Sequence, residues 1–107
     1  MKVVINTCFG GYGLSLKAMH KLIELGCEEA VEYMVGLDED DFGSFYPFSE
    51  DEKRNHPMLI RVVEELGAEA NGRWSDLKIV DIPDNVEWYI HYYDGIESVH
   101  EQHRSWR

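Results

Sequence analysis

The sequence predicts an α+β domain: a small mixed β-sheet with two helices on one face, in the order β-α-β-α-β-β-β. Three observations lead there. A β-branched run opens the chain and breaks at a glycine cluster. Two stretches carry apolar residues at helical spacing. An alternating run near the C-terminus ends in Asp94-Gly95. The 107 residues suit one domain spanning 1–107, with an acidic, aromatic loop at about 36–54.

Each element has its own signal. "KVVINTC" (2–8) has the composition of a buried strand, and "FGGYG" breaks it. From Ser15 the period changes. Leu16, Met19, Leu22 and Ile23 share one helical face, with Ser15 as N-cap and Gly26 as the stop. "AVEYMV" (30–35) alternates Val31, Tyr33 and Val35 against Glu32 and Met34, which reads as a second strand. The preceding "CEEA" leaves a longer helix as the rival.

The acidic segment 36–52 is studded with Phe42, Phe45, Tyr46 and Phe48, and a connection this long is often functional. Its plainer reading is a surface loop whose aromatics tuck onto the core. "NHPMLIRVVEELGAEANG" (55–72) is the clearest helix. Pro57 suits its first turn, and Leu59, Val62, Val63, Leu66 and Ala70 form the apolar stripe. Gly67 costs about 1 kcal/mol relative to Ala in a helix interior, so the helix can also end there. "LKIVDI" (77–82) and "VEWYIHYY" (86–93) read as strands around the turn Pro83-Asp84-Asn85. Asp94-Gly95 predicts a hairpin with "IESVHEQH" as the return strand. A capping box from Asp94 to Glu97, opening a terminal helix, is the competing reading.

Charge limits the partners. Ten Lys and Arg face 21 Asp and Glu, for a formal net charge of −11. Duplex DNA or RNA is disfavoured, because that affinity comes mostly from neutralising phosphates with cations. Anionic membrane surfaces are disfavoured for the same reason. A cationic protein surface is attracted, which keeps nucleic-acid mimicry in view. Seven of the acidic residues fall between Asp38 and Glu52, so the rest of the surface is less acidic than the total implies. Cys8 and Cys27 show no CxxC or finger spacing, and two free thiols in a reducing cytoplasm is the plainest reading. No span or signal peptide is evident, so the expectation is a soluble cytoplasmic protein.

The candidate site centres on "NTCFGGYGLS" (6–15). A glycine loop between a strand and a helix start is a familiar anion site, through loop amides and the helix dipole. Gly10, Gly11 and Gly13 would supply the loop and Ser15 a hydroxyl. The stretch is neither GxGxxG nor a Walker motif. Glycines serving only a tight connection is the bland alternative. Cys8 near a helix N-terminus is a conceivable nucleophile, but more simply a small buried hydrophobe. His100 and His103 have metal-ligand spacing without a second cluster, so no metal is expected. Arg54 beside the second helix and Arg104 near the C-terminus could grip phosphate, and Phe9, Tyr12 or Trp106 could stack a base.

Taken together, "VINTCFGGYGLS", "HPMLIRVVEELGAEANGR", "LKIVDIPDNVEWYI" and "YDGIESVHEQHRSW" resemble a family of small phage and prophage proteins. Members typically open with a strand and CFGGFGLS, carry Arg-x-Asp-Pro before the second helix, and close with YDGxExxxExHRxW. Cys8, Phe9, Gly10, Gly11, Gly13, Leu14, Ser15, Arg54, His103, Arg104 and Trp106 match. His56 stands where the family has Asp, so a capping or ligand role for that Asp does not carry over. The resemblance spares the acidic middle. It implies a phage accessory protein acting in the host cytoplasm, of the kind that neutralises host defence. Some such proteins sequester cyclic-nucleotide or ADP-ribose-derived signals, as anti-Thoeris proteins do.

The expectation is therefore a binding protein, with no cofactor, for a small anionic nucleotide-like ligand. Its candidate residues are Asn6, Cys8, Phe9, Gly10, Gly11, Tyr12, Gly13, Ser15, Arg54, His103, Arg104 and Trp106. A chain this small encloses little volume, which favours a homo-oligomer. The alternative is an acidic inhibitor that blocks a basic host or nucleic-acid-binding protein, in the manner of an anti-CRISPR protein. Catalysis ranks last, because no complete nucleophile–base pair is legible.

Overall fold

A computed structural model describes residues 1–35 and 44–101. Asp38, Glu39, Asp40, Asp41 and Phe42 of the acidic segment lie outside the described residues, as do His103, Arg104 and Trp106.

The first strand, β1 (Lys2–Asn6), runs through the middle of the molecule. Its side chains alternate between two cores. Val4 joins a large cluster with Leu14, Met19, Leu22, Leu59 and Val62, whereas Val3 and Ile5 join a smaller one with Ile90. A strand buried on both faces needs no polar alternation, which is why "VVI" reads as a continuous apolar run.

The first helix, α1 (Leu16–Glu24), begins and ends as its sequence requires. The Ser15 hydroxyl accepts from the Ala18 amide at 3.0 Å, and Gly26 adopts φ +82° just past the last turn. The next element corrects the sequence reading. Residues expected to form a strand at 30–35 form a second helix, α2 (Glu28–Val35). Ala30, Tyr33 and Met34 recur at helical spacing and pack on the large core, while Val31 and Val35 face outward. Glu28 and Glu29 sit in the first turn, where the helix dipole favours acidic residues.

In the acidic segment, Phe45 and Phe48 are buried, as the tucked-loop reading holds. The Leu14 amide donates to the Phe45 carbonyl at 2.7 Å, and the Phe45 amide returns a bond of 3.0 Å. A short 3₁₀ turn (Asp51–Lys53) leads into α3 (Pro57–Leu66), which stops at Gly67 with φ +56°. A 3₁₀ turn (Gly67–Ala70) follows. His56 caps α3 itself: its Nδ1 accepts from the Met58 amide at 3.2 Å, and its ring packs at a tilt against Phe48.

The α+β class holds, but the single mixed sheet does not. β1 pairs antiparallel with β2 (Leu77–Asp81), and β3 (Trp88–Tyr93) pairs antiparallel with β4 (Ile96–Glu101), giving two separate two-stranded sheets. Among the described residues three α-helices stand where two were expected. The hairpin is as predicted. Asp94 and Gly95 both take positive φ, 48° and 89°, which matches the twist of the flanking strands. The terminal-helix alternative is thereby excluded over 96–101. Two-stranded sheets are marginal alone, so each is held by what covers it.

Candidate functional site

The glycine loop, the Ser49–Arg54 segment and the hairpin meet around an open cleft of about 530 Å³. Gly10, Gly11 and Tyr12 form one wall, Ser49, Asp51 and Arg54 another, and Ile90, Tyr92 and Glu97 the third. Tyr46 stands at its side. The loop and Arg54, singled out separately in the sequence, thus share one site.

Backbone organisation explains why they meet. Residues 3 and 5 of β1 face β2 through their peptide groups, so those of residues 4 and 6 point to the opposite edge, where no strand pairs among the described residues. Side chains and loop backbone cover that edge instead. The Val4 amide donates to the Arg54 carbonyl at 2.9 Å, and Arg54 Nη1 donates to the Val4 carbonyl at 3.3 Å. The Asn6 amide donates to Glu97 Oε1 at 2.8 Å. Arg54 and Glu97 then close on each other through two bonds of 2.7 Å.

This arrangement changes the expected role of Arg54. Its Nε and Nη2 donate to the Ser49 carbonyl, and its remaining donors go to Val4 and Glu97. All five guanidinium N–H groups are therefore engaged. The plane also lies 3.9 Å from the centre of the Tyr12 ring. A phosphate could reach this cation only by displacing a protein partner. Arg54 is a structural fastener here rather than an open anion grip.

Asn6 is likewise structural. Fully buried, it accepts at Oδ1 from the Cys8 and Asp76 amides and donates from Nδ2 to the Cys8 and Gly95 carbonyls. Its amide is saturated, and it holds the glycine loop against the hairpin turn. The contact leaves no room for side chains: a Cβ on Gly95 would lie 2.1 Å from the Phe9 carbonyl oxygen, and one on Gly10 2.1 Å from that of Trp74.

Ser15 does not reach the cleft. Its hydroxyl caps α1 and donates to the Glu69 carbonyl at 2.6 Å, while its amide donates to Ala70. Leu14, paired to Phe45 and Asn71, separates the glycine loop from the helix start. Loop amides and helix dipole therefore do not converge on one anion, as the sequence reading required. Gly13 packs against Ser44 and Gly72, outside the cleft. Cys8 is half-buried, and its carbonyl rather than its thiol joins the loop's bonding.

Tyr12 is buried and its hydroxyl donates to the Pro47 carbonyl at 2.6 Å, so it backs the site rather than stacking a ligand. Burial pushes its phenol well above the ordinary value, with the Arg54 charge opposing and Glu97 reinforcing. The accessible aromatics are others: Phe9 is 70% exposed, Tyr92 64% and Tyr93 67%, with Tyr46 and Trp74 about half exposed. Phe9 belongs to the loop, and Tyr46, Trp74 and Tyr92 border it. Gly11 looks toward the Tyr92 hydroxyl, Gly10 against Trp74, and the Phe9 backbone against Gly95.

No family model, curated protein or solved structure matches this chain. The site must be read from its own chemistry.

Sequence reasoning missed Glu97, Asp51, Tyr46 and Tyr92. A signal existed for Glu97, which shares a strand face with Val99 and so places a carboxylate on an inward side. Nothing in the spacing could place Asp51 beside the hairpin, where its Oδ2 accepts from the Ile90 amide at 3.3 Å. Among the described residues no group of three or more His, Cys, Asp or Glu could hold a metal ion, and no helix is long and apolar enough to cross a membrane.

Proposed function

We propose that this chain is a binding protein that docks on a basic protein surface through the acidic, aromatic face around its glycine loop. One observation carries the reading. The cation lining the cleft is neutralised by Glu97, while Asp51 beside it has no cation within ion-pair distance among the described residues. The face thus keeps a negative balance in its centre and offers Phe9 and Tyr92 to a partner. Tyrosine and tryptophan dominate the energetic centres of interfaces, and complementary charge speeds association. In the phage setting implied by the sequence resemblance, the partner is a basic host defence protein whose surface the chain blocks.

The test is a defence-challenge assay paired with direct binding to the defence protein. Phe9→Ala with Tyr92→Ala should abolish both, and the association rate should fall as salt rises. Full protection by the double variant would reject this face.

A nucleotide-like ligand is the second reading, and the cleft volume favours it. About 530 Å³ lies within the range of small-molecule sites, and Tyr46 and Tyr92 offer stacking faces near the Gly10 and Gly11 backbone. Phosphate would then be met by loop amides, without Arg54. Calorimetry with cyclic ADP-ribose-type and cyclic oligonucleotide ligands separates the readings, as does native mass spectrometry of protein purified from infected cells. A stoichiometric co-purifying nucleotide, lost in Tyr92→Ala, would replace the first reading with the second.

A further inference from the structure

Among the described residues no strand pairs with either outer edge of the β3–β4 hairpin, and the β3 edge is the one that lines the clefts. Tyr93 and Ile96 flank a two-residue turn, so they form the hydrogen-bonded pair that closes it, followed by His91 with Ser98 and Tyr89 with His100. The peptide groups of Trp88, Ile90 and Tyr92 therefore point away from β4. Among the described residues only the Ile90 amide has a partner there, a side-chain oxygen of Asp51 at 3.3 Å. No backbone group among the described residues bonds to this edge.

Two clefts border the edge, divided at Ile90 by the Asp51 carboxylate that an incoming strand would displace. The 530 Å³ cleft reaches Ile90 and Tyr92, and a second cleft of about 440 Å³ reaches Trp88, with Asp51 lining both. From Trp88 to Tyr92 the strip runs about 13 Å, at roughly 3.3 Å per residue. Its unpaired charge has one sign among the described residues. Glu52 and Glu87 line the second cleft, and neither they nor Asp51 has a cation within ion-pair distance among the described residues.

We propose that this edge of β3 is the docking strip for an extended basic segment of the partner protein, which adds as a third strand to the hairpin. The proposal rests on the protein-binding reading above and names how that partner is held. Backbone bonds to Trp88 and Tyr92 supply affinity. Alternate Arg or Lys side chains enter the Trp88 cleft, where an aromatic ring and three carboxylates suit a cation. A second copy of this chain is a poor occupant. It would bring Asp51, Glu52 and Glu87 against their own counterparts in a molecule of net charge −11.

The experiment titrates isotope-labelled protein with a short peptide alternating Arg and Val, following backbone amides by NMR. The Trp88 and Tyr92 amides should shift and gain protection from exchange. A peptide N-methylated at every residue, with neither edge able to donate to β3, should not bind. Glu52→Gln with Glu87→Gln, both exposed and outside the cores, should weaken the plain peptide roughly tenfold at low salt. Equal binding of the N-methylated peptide, or shifts confined to Phe9–Tyr12, would overturn the edge proposal. A basic partner that binds the whole chain while the β3 amides stay unmoved would also overturn it, yet leave the protein-binding reading standing. Failure of every basic protein to bind while the peptide still adds to β3 would reject that reading alone.

Discussion

Arg54 and Glu97 form a two-pronged ion pair, both contacts 2.7 Å and both side chains 3% exposed, between the lead into α3 and the second strand of the hairpin. Through Val4 and Asn6 the pair also covers the open edge of β1, so three segments depend on two side chains. A buried pair is not an intrinsic gain, because desolvating both charges offsets their attraction. Breaking it is different. Removing one partner leaves a buried charge without its counter-ion.

Arg54→Ala and Glu97→Gln should each lower stability by about 3–5 kcal/mol, measured by urea unfolding. Arg54→Ala combined with Glu97→Gln should cost less than the sum of the single changes. Recovery stays partial, since the Val4 and Ser49 carbonyls lose their donors. Additive effects in this cycle would show that the two residues are not coupled.

Asn6→Ala should cost about 2–4 kcal/mol, since several buried partners lose their bonds at once. Asn6→Asp keeps the shape but sets a carboxylate against the Cys8 and Gly95 carbonyls, beside Glu97. That variant should be more stable at mildly acidic pH than at neutral pH, because its protonated carboxyl regains one donor. Unfolding curves at the two pH values compare them directly.

The Tyr12 phenol is held neutral by burial, above its ordinary value of 10.0. Unfolded chains ionise this group near that value while the folded protein does not, so they bind fewer protons there. Stability is full below about pH 10 and falls as pH rises above it. Spectrophotometric titration should show one tyrosine ionising only as the protein unfolds. Tyr12→Phe should remove that late step and ease the alkaline loss, at a cost of about 1 kcal/mol at neutral pH for the bond to Pro47.

At the start of α3, His56→Ala should lower stability by about 1 kcal/mol through the lost N-cap. His56→Asp restores an acceptor and places negative charge at the helix's positive end. It should match or exceed the natural protein in thermal unfolding, offset in part by the lost packing against Phe48.

Local signals settled most of the secondary structure. β1, α1 with its Ser15 cap, the Gly67 stop and the Asp94-Gly95 turn are all decided by neighbouring residues, through propensity, capping and positive φ. The α2 segment was misread because Val31, Tyr33 and Val35 fit a period of two as well as Ala30, Tyr33 and Met34 fit a helix. A short apolar run satisfies both, and only burial separates them. The candidate site was legible in part. The glycine loop and Arg54 do meet in one cleft, but what Arg54 does there is decided by Glu97, 43 residues away. Ser15 shows the same limit, since its reach is set by Leu14 bonding to Phe45 across the fold. By itself the sequence determined the α+β class, most element ends and the acidic balance, because these follow from side chains and their near neighbours. Only the tertiary structure decided which strand edges are covered, which cation is neutralised and which aromatics face outward. Those outcomes depend on pairing between distant segments, where desolvation and geometry choose the partner.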